Sequence, residues 1–356
     1  MSVVTMADVA KAAKVSRPTV SLVLNGNAEK WRVSDRTSTR VLKVAERLGY
    51  RKNLIARSMV TGKTEVIGIV GLLDDSFGAE ILRGISEVAD INGYSLKYFR
   101  GESPEEIAMI AKKCVGQRLS GVICHLNDFD PSISQELATA NIPMVHVDNC
   151  GSDGSFSCVG SDDFAGAVQA VEHLHRLGHR RIAHLAGDLD YICAKIRYDG
   201  YRAGLAKCGL DFSDDLLWIN NDHDAISEDF RRMMGKILSE VRPTALFCGG
   251  DAAAMKALKI AVETGVKVPE DLSIVGFAGL AYTQWTVPAL TTVRQPFVEM
   301  GRGAAEILLS EIKEGAPHQE MALPVELLIR QSTSKAKSSR FTYRNRYEKQ
   351  ERGLTA

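Results

Sequence analysis

The sequence predicts an α/β protein in which a small helical unit precedes a doubly wound α/β domain of two lobes. Three observations lead there. Beyond residue 65, short continuous apolar runs alternate with amphipathic segments, the pattern of parallel strands covered on both faces by helices. Before residue 53 the apolar residues recur instead at helical spacing in three capped segments. Charge divides at nearly the same place: residues 1–63 carry thirteen Lys and Arg against four Asp and Glu, although the 356-residue chain is neutral as a whole. That length exceeds what a single core organises, so two or three domains are expected.

Thr5-Met6-Ala7-Asp8 has the form of a capping box, a hydroxyl with a carboxylate three residues on, and Met6, Val9, Ala10 and Ala13 follow at helical spacing. A helix over about 6–13 is predicted. Ser16 caps a second helix, with Pro18 in its first turn, where the missing N–H costs no hydrogen bond, and Asn25-Gly26 stops it. The short gap between the two is helix-turn-helix spacing, with Val9, Ala10, Val15, Val20, Val23 and Leu24 forming a shared core. Ser34 caps a third helix reaching Leu48, with Val41, Val44, Ala45 and Leu48 inward and Gly49 as its stop. Basic charge on such a unit points to an anionic partner, nucleic acid or membrane surface; the plain alternative is a solvated face.

Residues 53–60 are helix-compatible, and 61–64 read as a linker. Strands are expected at 66–72, 95–99, 121–125, 143–147, 181–185, 216–219, 244–248, 272–276 and 324–329. Helices are expected near 79–92, 104–116, 132–140, 163–177, 195–208, 225–239, 252–264 and 297–314. This alternation gives a doubly wound fold with a cleft at the C-terminal ends of its strands. Residues 334–356 are polar and basic without periodicity and read as a flexible tail.

Several function classes drop out. The seven cysteines are odd in number and never form C-x-x-C, so they read as reduced thiols. No signal-like start and no membrane-length apolar run is present, which predicts a soluble cytoplasmic protein. In HLHRLGH, His173 and His175 point to different helix faces and no second cluster accompanies them, so no metal and no cofactor are expected. No dinucleotide, Walker or nucleophile-elbow motif occurs, so the chain is not read as an enzyme.

The residues together carry a resemblance. VTMADVAKAAKVSRPTVSLVLNG, the third helix ending ERLGY, NLIARSM, RRIAHLAG, RYDGYRAGL, PEDLSIVGF, LTTVRQP and LLIRQST occur in the order and at the spacings of the LacI/GalR family of transcriptional regulators, and the similarity covers about residues 4–333. It implies a helix-turn-helix DNA-binding domain at 1–52, a hinge helix and linker at 53–64, and a two-lobed, periplasmic-binding-protein-like effector and dimerisation domain at 65–333. The N-subdomain would take about 65–160 and 291–319, and the C-subdomain about 161–290 and 320–333. The implied partners are double-stranded operator DNA, a small-molecule effector such as a sugar, and a second copy of the chain, with a tetramer as an alternative to the dimer.

Through that resemblance the second helix lies in the major groove, with base contacts from Arg17, Pro18 and Leu22. Arg17 suits a bidentate contact to guanine. Leu22 stands where the family often has arginine and offers only an apolar contact. Thr5, Ser16, Thr19, Ser21, Asn25, Arg32 and Tyr50 complete the implied contacts of the head, and Asn53, Ala56, Arg57 and Met59 those of the hinge, where Met59 replaces a leucine wedge for the minor groove. Lys14 occupies a turn position where the family has glycine, Lys52 replaces a proline, and Asn27 to Arg32, with Trp31, lengthens the loop before the third helix.

For the effector the resemblance implies Arg197, whose guanidinium suits hydroxyls and carboxylates, and Asp251 after Cys248-Gly249-Gly250, which equally suits a helix cap. Phe77, Phe277 and Trp285 are candidates for ring stacking, and Asp75, His125, Asp148 and Asp162 sit at strand or loop ends. The family's Gly-Phe-Asp-Asp is Gly276-Phe277-Ala278-Gly279 here, which argues against a simple pyranose. Two other classes share the fold: a solute-binding protein, which residues 1–63 argue against, and an α/β enzyme, which would need a paired acid and base in the cleft.

Overall fold

The computed structural model describes residues 4–26, 28–50, 64–71, 76–101, 103–126, 131–148, 154–220 and 226–337, in two compact units that divide between Thr64 and Glu65. Residues 51–63 and 338–356, which include the expected hinge helix and nearly all of the expected tail, lie outside the described residues.

The first unit is three helices, α1 (Met6–Ala13), α2 (Arg17–Leu24) and α3 (Asp35–Arg47). The capping box forms as its residues dictate: the Thr5 hydroxyl accepts the Asp8 N–H, and the Asp8 carboxylate accepts the Thr5 N–H at 2.8 Å. Ser16 accepts the Thr19 N–H at 3.2 Å and Ser34 accepts that of Thr37 at 3.4 Å, each from extended backbone at a helix start. Lys14 turns the chain between α1 and α2 with φ 53° and ψ 50°, the left-handed conformation that its position demands and that a Cβ disfavours. Val9, Val20 and Val41, all without exposure, join the three helices, and Val15, Leu24, Val44, Leu48 and Tyr50 close around them.

The second unit holds two six-stranded sheets. The first contains β1 (Val66–Gly71), β2 (Ser95–Phe99), β3 (Gly121–His125), β4 (Met144–Val147), β5 (Ser157–Ser161) and β11 (Glu320–Leu323) in the order β11-β5-β4-β3-β1-β2, all parallel. Its helices are α4 (Ser76–Ile91), α5 (Pro104–Gly116), α6 (Pro131–Thr139) and α11 (Phe297–Glu314). The second contains β6 (Ile182–Ala186), β7 (Leu217–Ile219), β8 (Ala245–Cys248), β9 (Ser273–Ala278), β10 (Thr291–Arg294) and β12 (Glu326–Leu328) in the order β12-β10-β9-β8-β6-β7, with only β12 antiparallel. Its helices are α7 (Asp163–Arg176), α8 (Ile192–Lys207), α9 (Glu228–Lys236) and α10 (Asp251–Thr264).

Burial follows from the apolar runs: Ile67, Ile69, Val145 and Val159 fill the first sheet's core beneath α4 and α11, and Leu185, Leu246 and Ile274 fill the second's. The backbones of α4 and α11 approach so closely that a Cβ on Gly84 would meet the Val298 carbonyl oxygen at 2.0 Å, and one on Gly301 the Ile81 carbonyl oxygen at 2.1 Å. Only glycine fits at either point.

Three strands were not expected. β5 and β10 are short and rich in Ser and Thr, so hydropathy alone passes over them, and β11 precedes the run expected at 324–329, which shortens to β12. These strands correct the expected lobe boundaries. Residues 291–294 pair with β9 and belong to the second sheet, and residues 320–323 pair with β5 and belong to the first, because the chain changes sheets at 295–296 and 324–325. The third change of sheet, at 162, follows β5. The reading of all cysteines as reduced thiols is also corrected: Cys158, buried on β5, is disulfide-bonded, while Cys114, Cys124, Cys193, Cys208 and Cys248 are free. An odd count without C-x-x-C gave no sign of it.

Candidate functional site

In the helical unit, α2 divides its residues by face. Val20 and Val23 are buried, while Arg17 and Pro18 at its start are exposed, as is Asn25 at its end. Leu22 is half-buried and is not among the residues packed on the unit's core. The Ser16 and Thr19 hydroxyls lie 2.8 Å apart, and Asn25 Nδ2 donates to the Ser21 hydroxyl at 3.2 Å. Thr5 is exposed, with its hydroxyl donating to Asp8 at 2.7 Å. Arg32 is exposed with φ 55° at the end of a turn that Val33 closes by donating to the Ala28 carbonyl at 2.8 Å. Tyr50, expected at the DNA, is half-buried against the unit's own core. Asn53, Ala56, Arg57 and Met59 lie outside the described residues, as does Asp75 among the effector candidates.

In the second unit a polar network forms where the chain changes sheets. Arg197, on α8, donates through Nε to Asp163 at 2.7 Å, through Nη1 to the Gly249 carbonyl at 2.8 Å and through Nη2 to Gln295 Oε1 at 3.3 Å, with its guanidinium 4.2 Å above the Phe277 ring. Gln295, only 4% exposed between β10 and α11, donates through Nε2 to Ser161 at 2.8 Å and to Asp148 at 3.3 Å. Asp148, with φ 79°, stands 3.6 Å from His125 Nε2, and the His125 ring meets Phe77 edge-on at 5.3 Å. The network thus spans both lobes: His125 ends β3 and Asp148 follows β4 of the first sheet, Arg197 and Gly249 belong to the second, and Gln295 and Asp163 sit at crossings between them.

Burial opposes the charges of Asp163, Arg197 and Asp148, and pairing outweighs it at Arg197 and Asp148. It pushes the Asp163 carboxyl up, against the pull of Arg197. It also works against the Arg197 guanidinium, which Asp163 and Asp148 nevertheless hold above its ordinary value. At Asp148 burial again pushes upward, but His125 and Arg197 outweigh it, so that carboxylate lies below its ordinary range. An arginine whose Nε and both terminal nitrogens already have partners is a joint between lobes as well as a group that can meet a ligand.

Three expected effector residues serve the fold. Asp251 is 1% exposed; its carboxylate accepts the Leu280 N–H at 2.8 Å and the Thr292 hydroxyl at 2.5 Å, tying α10 to the exit of β9 and to β10. Asp162 caps α7 by accepting the Ala165 N–H at 2.9 Å. Phe277 has no exposure and packs against Phe247 in the second core, with the Arg197 guanidinium above its ring. Trp285 is 73% exposed on a short 3₁₀ turn and forms no part of the network. The network's own Asp163, Gln295 and Ser161 were passed over. Gln295 lies within LTTVRQP, and Asp163 directly follows Asp162, but their convergence on Arg197 joins residues 98 and 34 positions away, which no local pattern reports.

Ala278 and Gly279 explain part of the departure from Gly-Phe-Asp-Asp. Gly279 has φ 76°, and a Cβ there would meet the Arg294 Cα at 2.6 Å, so a side chain is excluded; Ala278 bears φ 128°. Two histidines of HLHRLGH also find structural partners: His173 pairs with the Thr333 hydroxyl and His179 with Thr244 and the Ser334 carbonyl, each at 3.0 Å. Among the described residues no group of three or more His, Cys, Asp or Glu is placed to hold a metal ion, and no helix is long and apolar enough to cross a membrane.

Comparison with known proteins agrees with this division. Residues 5–53 match the model of the bacterial regulatory proteins of the lacI family, and residues 171–333 match that of a periplasmic binding protein-like domain. The chain is 30% identical over 335 residues to the HTH-type transcriptional repressor PurR of Haemophilus influenzae (strain PittEE), covering 92% of this chain and 98% of that protein. Among solved structures it resembles the Lac repressor dimer bound to operator and the anti-inducer ONPF, at 28% identity, 94% and 100% coverage of the two chains and a TM-score of 0.80. It also resembles the complex of the transcriptional regulator CelR with cellobiose, at 28% identity, 92% and 99% coverage and a TM-score of 0.69.

Proposed function

The chain belongs to the lacI family of bacterial regulatory proteins, and from that premise we propose that it is a sequence-specific transcriptional repressor in the cytoplasm. It binds a pseudo-palindromic operator as a dimer and is controlled by a small molecule held between its two lobes. The observation that carries the reading is α2, whose valines are buried while Arg17 and Pro18 stand exposed at its start, in a unit whose surplus charge is positive. A helix anchored by one face and cationic at its N-terminal end is suited to the major groove.

Control follows from linkage. Arg197, Gln295, Asp163 and Asp148 join groups from both lobes, so a ligand that engages any of them changes the relative stability of lobe arrangements and hence operator affinity, and operator must change ligand affinity by the same factor. His125, Asp148, Phe77 and Arg197 are the proposed effector contacts. Relatives of this chain are named as transcriptional regulators, and no catalytic role is proposed.

Selection of bound duplexes from a random DNA library, with the purified full chain at two salt concentrations, tests the reading. A palindromic sequence should be enriched at both. Salt-sensitive binding that enriches no sequence would overturn it, since only the electrostatic contribution would remain.

A further inference from the structure

Helix α3 sorts its exposed charges by flank. Arg36, Arg40, Lys43 and Arg47 recur at intervals of four, three and four, which places them in one row along the helix, and all four are exposed. Asp35, Thr39, Leu42 and Glu46 form a second exposed row with the same intervals, and Val41, Val44, Ala45 and Leu48 face the core between them. None of the four cations forms an ion pair or hydrogen bond within the described residues. Neighbours at these spacings repel and weaken an exposed helix. Exchanging Lys43 with Glu46, for example, would place a carboxylate between basic neighbours and relieve much of that repulsion. The row therefore opposes the helix that bears it.

We infer that this row is a second DNA-binding surface, a phosphate rail that acts beside the recognition helix and reads no bases. The inference rests on the reading of the chain as a DNA-binding protein and adds an element to it. Charge complementarity selects the partner: the row lies on the cationic unit, and its eleven-residue reach is about 16 Å of helix. Three of the four are arginines, whose planar fork suits phosphate oxygens. Such interactions fix position and add affinity without sequence information.

The test compares wild type with the Arg36→Gln/Arg40→Gln/Lys43→Gln/Arg47→Gln variant of the full chain, on the selected operator and on a random-sequence duplex of equal length. Glutamine keeps helix propensity close to that of lysine and arginine, and far-UV circular dichroism checks that the helices persist. The slope of log affinity against log salt should fall by about 0.9 for each phosphate that is no longer neutralised, at most about 3.6 per head. Both duplexes should weaken by a similar factor, and the base preference should be unchanged. An unchanged slope, or a weakening confined to the operator, would overturn the rail. A variant with Arg36, Arg40 and Arg47 all changed to lysine keeps the charge and should retain most of the slope; losing it would show a structural role instead. If wild type binds neither duplex, the proposed function fails; if it binds both and the glutamine variant keeps its slope, only the rail fails.

Discussion

Arg197 and Asp163 form an ion pair at 2.7 Å with side chains 12% and 6% exposed, and Gln295 contacts both partners from the chain crossing between β10 and α11. A pair so placed can break only at the cost of a buried charge. Arg197→Ala should therefore do more than remove a ligand contact. It leaves the Asp163 carboxylate and the Gly249 carbonyl without their partner, and removing one member of a buried pair costs about 3–5 kcal/mol. Chemical denaturation of the full chain should show that loss, whereas Arg197→Met/Asp163→Leu should lose less than the sum of the single changes. Additive losses would mean that the two side chains do not act as a unit.

Lys14 offers a gain. Its backbone is left-handed, at φ 53° and ψ 50°, in the turn between α1 and α2, and its side chain is exposed with no partner among the described residues. Lys14→Gly should stabilise the head by up to about 1 kcal/mol, by removing the Cβ strain at some expense in unfolded-state entropy. The measurement is the melting temperature of the head followed by circular dichroism. A lower melting temperature would show that the lysine contributes an interaction worth more than its strain.

The sequence made the helical unit legible almost to the residue because every signal there is local. Thr5, Ser16 and Ser34 cap the helices they precede, and a cap acts within three positions. The two-sheet architecture was also legible, since long apolar strands such as Val66–Gly71 and Ile182–Ala186 are buried on both faces. Short strands were not: Thr291 and Thr292 are wholly buried in β10, yet their hydroxyls hide that burial from hydropathy. The ligand network was half legible. Arg197 and Asp148 stood out by type and position, but Gln295 is defined by partners far along the chain, and Asp251 shows its structural duty only once Leu280 and Thr292 are seen against it.

His184 predicts a pH dependence. Its ring is wholly buried, stacked 4.7 Å from Phe247 and 4.9 Å from Tyr201; Nδ1 lies 3.0 Å from the Phe247 carbonyl, and Nε2 has no partner among the described residues. Burial lowers its pKa to about 4, and burial likewise lowers His173 to about 4. Since the unfolded histidine titrates near ~6.5, the unfolded chain takes up these protons first as pH falls. Stability is therefore full above that value and declines toward pH 4, by up to about 1.4 kcal/mol per pH unit for each histidine. His184→Phe removes one titration and leaves the Phe247 carbonyl unpaired. Denaturation at pH 7 and near pH 4.5 should show the variant less stable than wild type at the first and closer to it, or more stable, at the second. Parallel curves would show that His184 takes up its proton in the folded chain.

Arg17 tests the head without disturbing its fold. It is the first residue of α2, exposed, and outside the core that Val20 and Val23 build, so Arg17→Ala should change head stability by no more than about 0.5 kcal/mol. Its guanidinium is free to reach a base edge, where a bidentate contact to guanine discriminates by about 1–3 kcal/mol. Binding to the selected operator should then fall by roughly ten- to a hundredfold, while binding to duplexes altered at one symmetric position of each half-site should fall much less. That pattern separates base reading from phosphate neutralisation, because removing a phosphate interaction weakens all sequences alike and reduces the salt slope by about one. Uniform weakening across single-base variants would assign Arg17 to the backbone and leave Leu22 and Pro18 as the side of α2 that reads the groove.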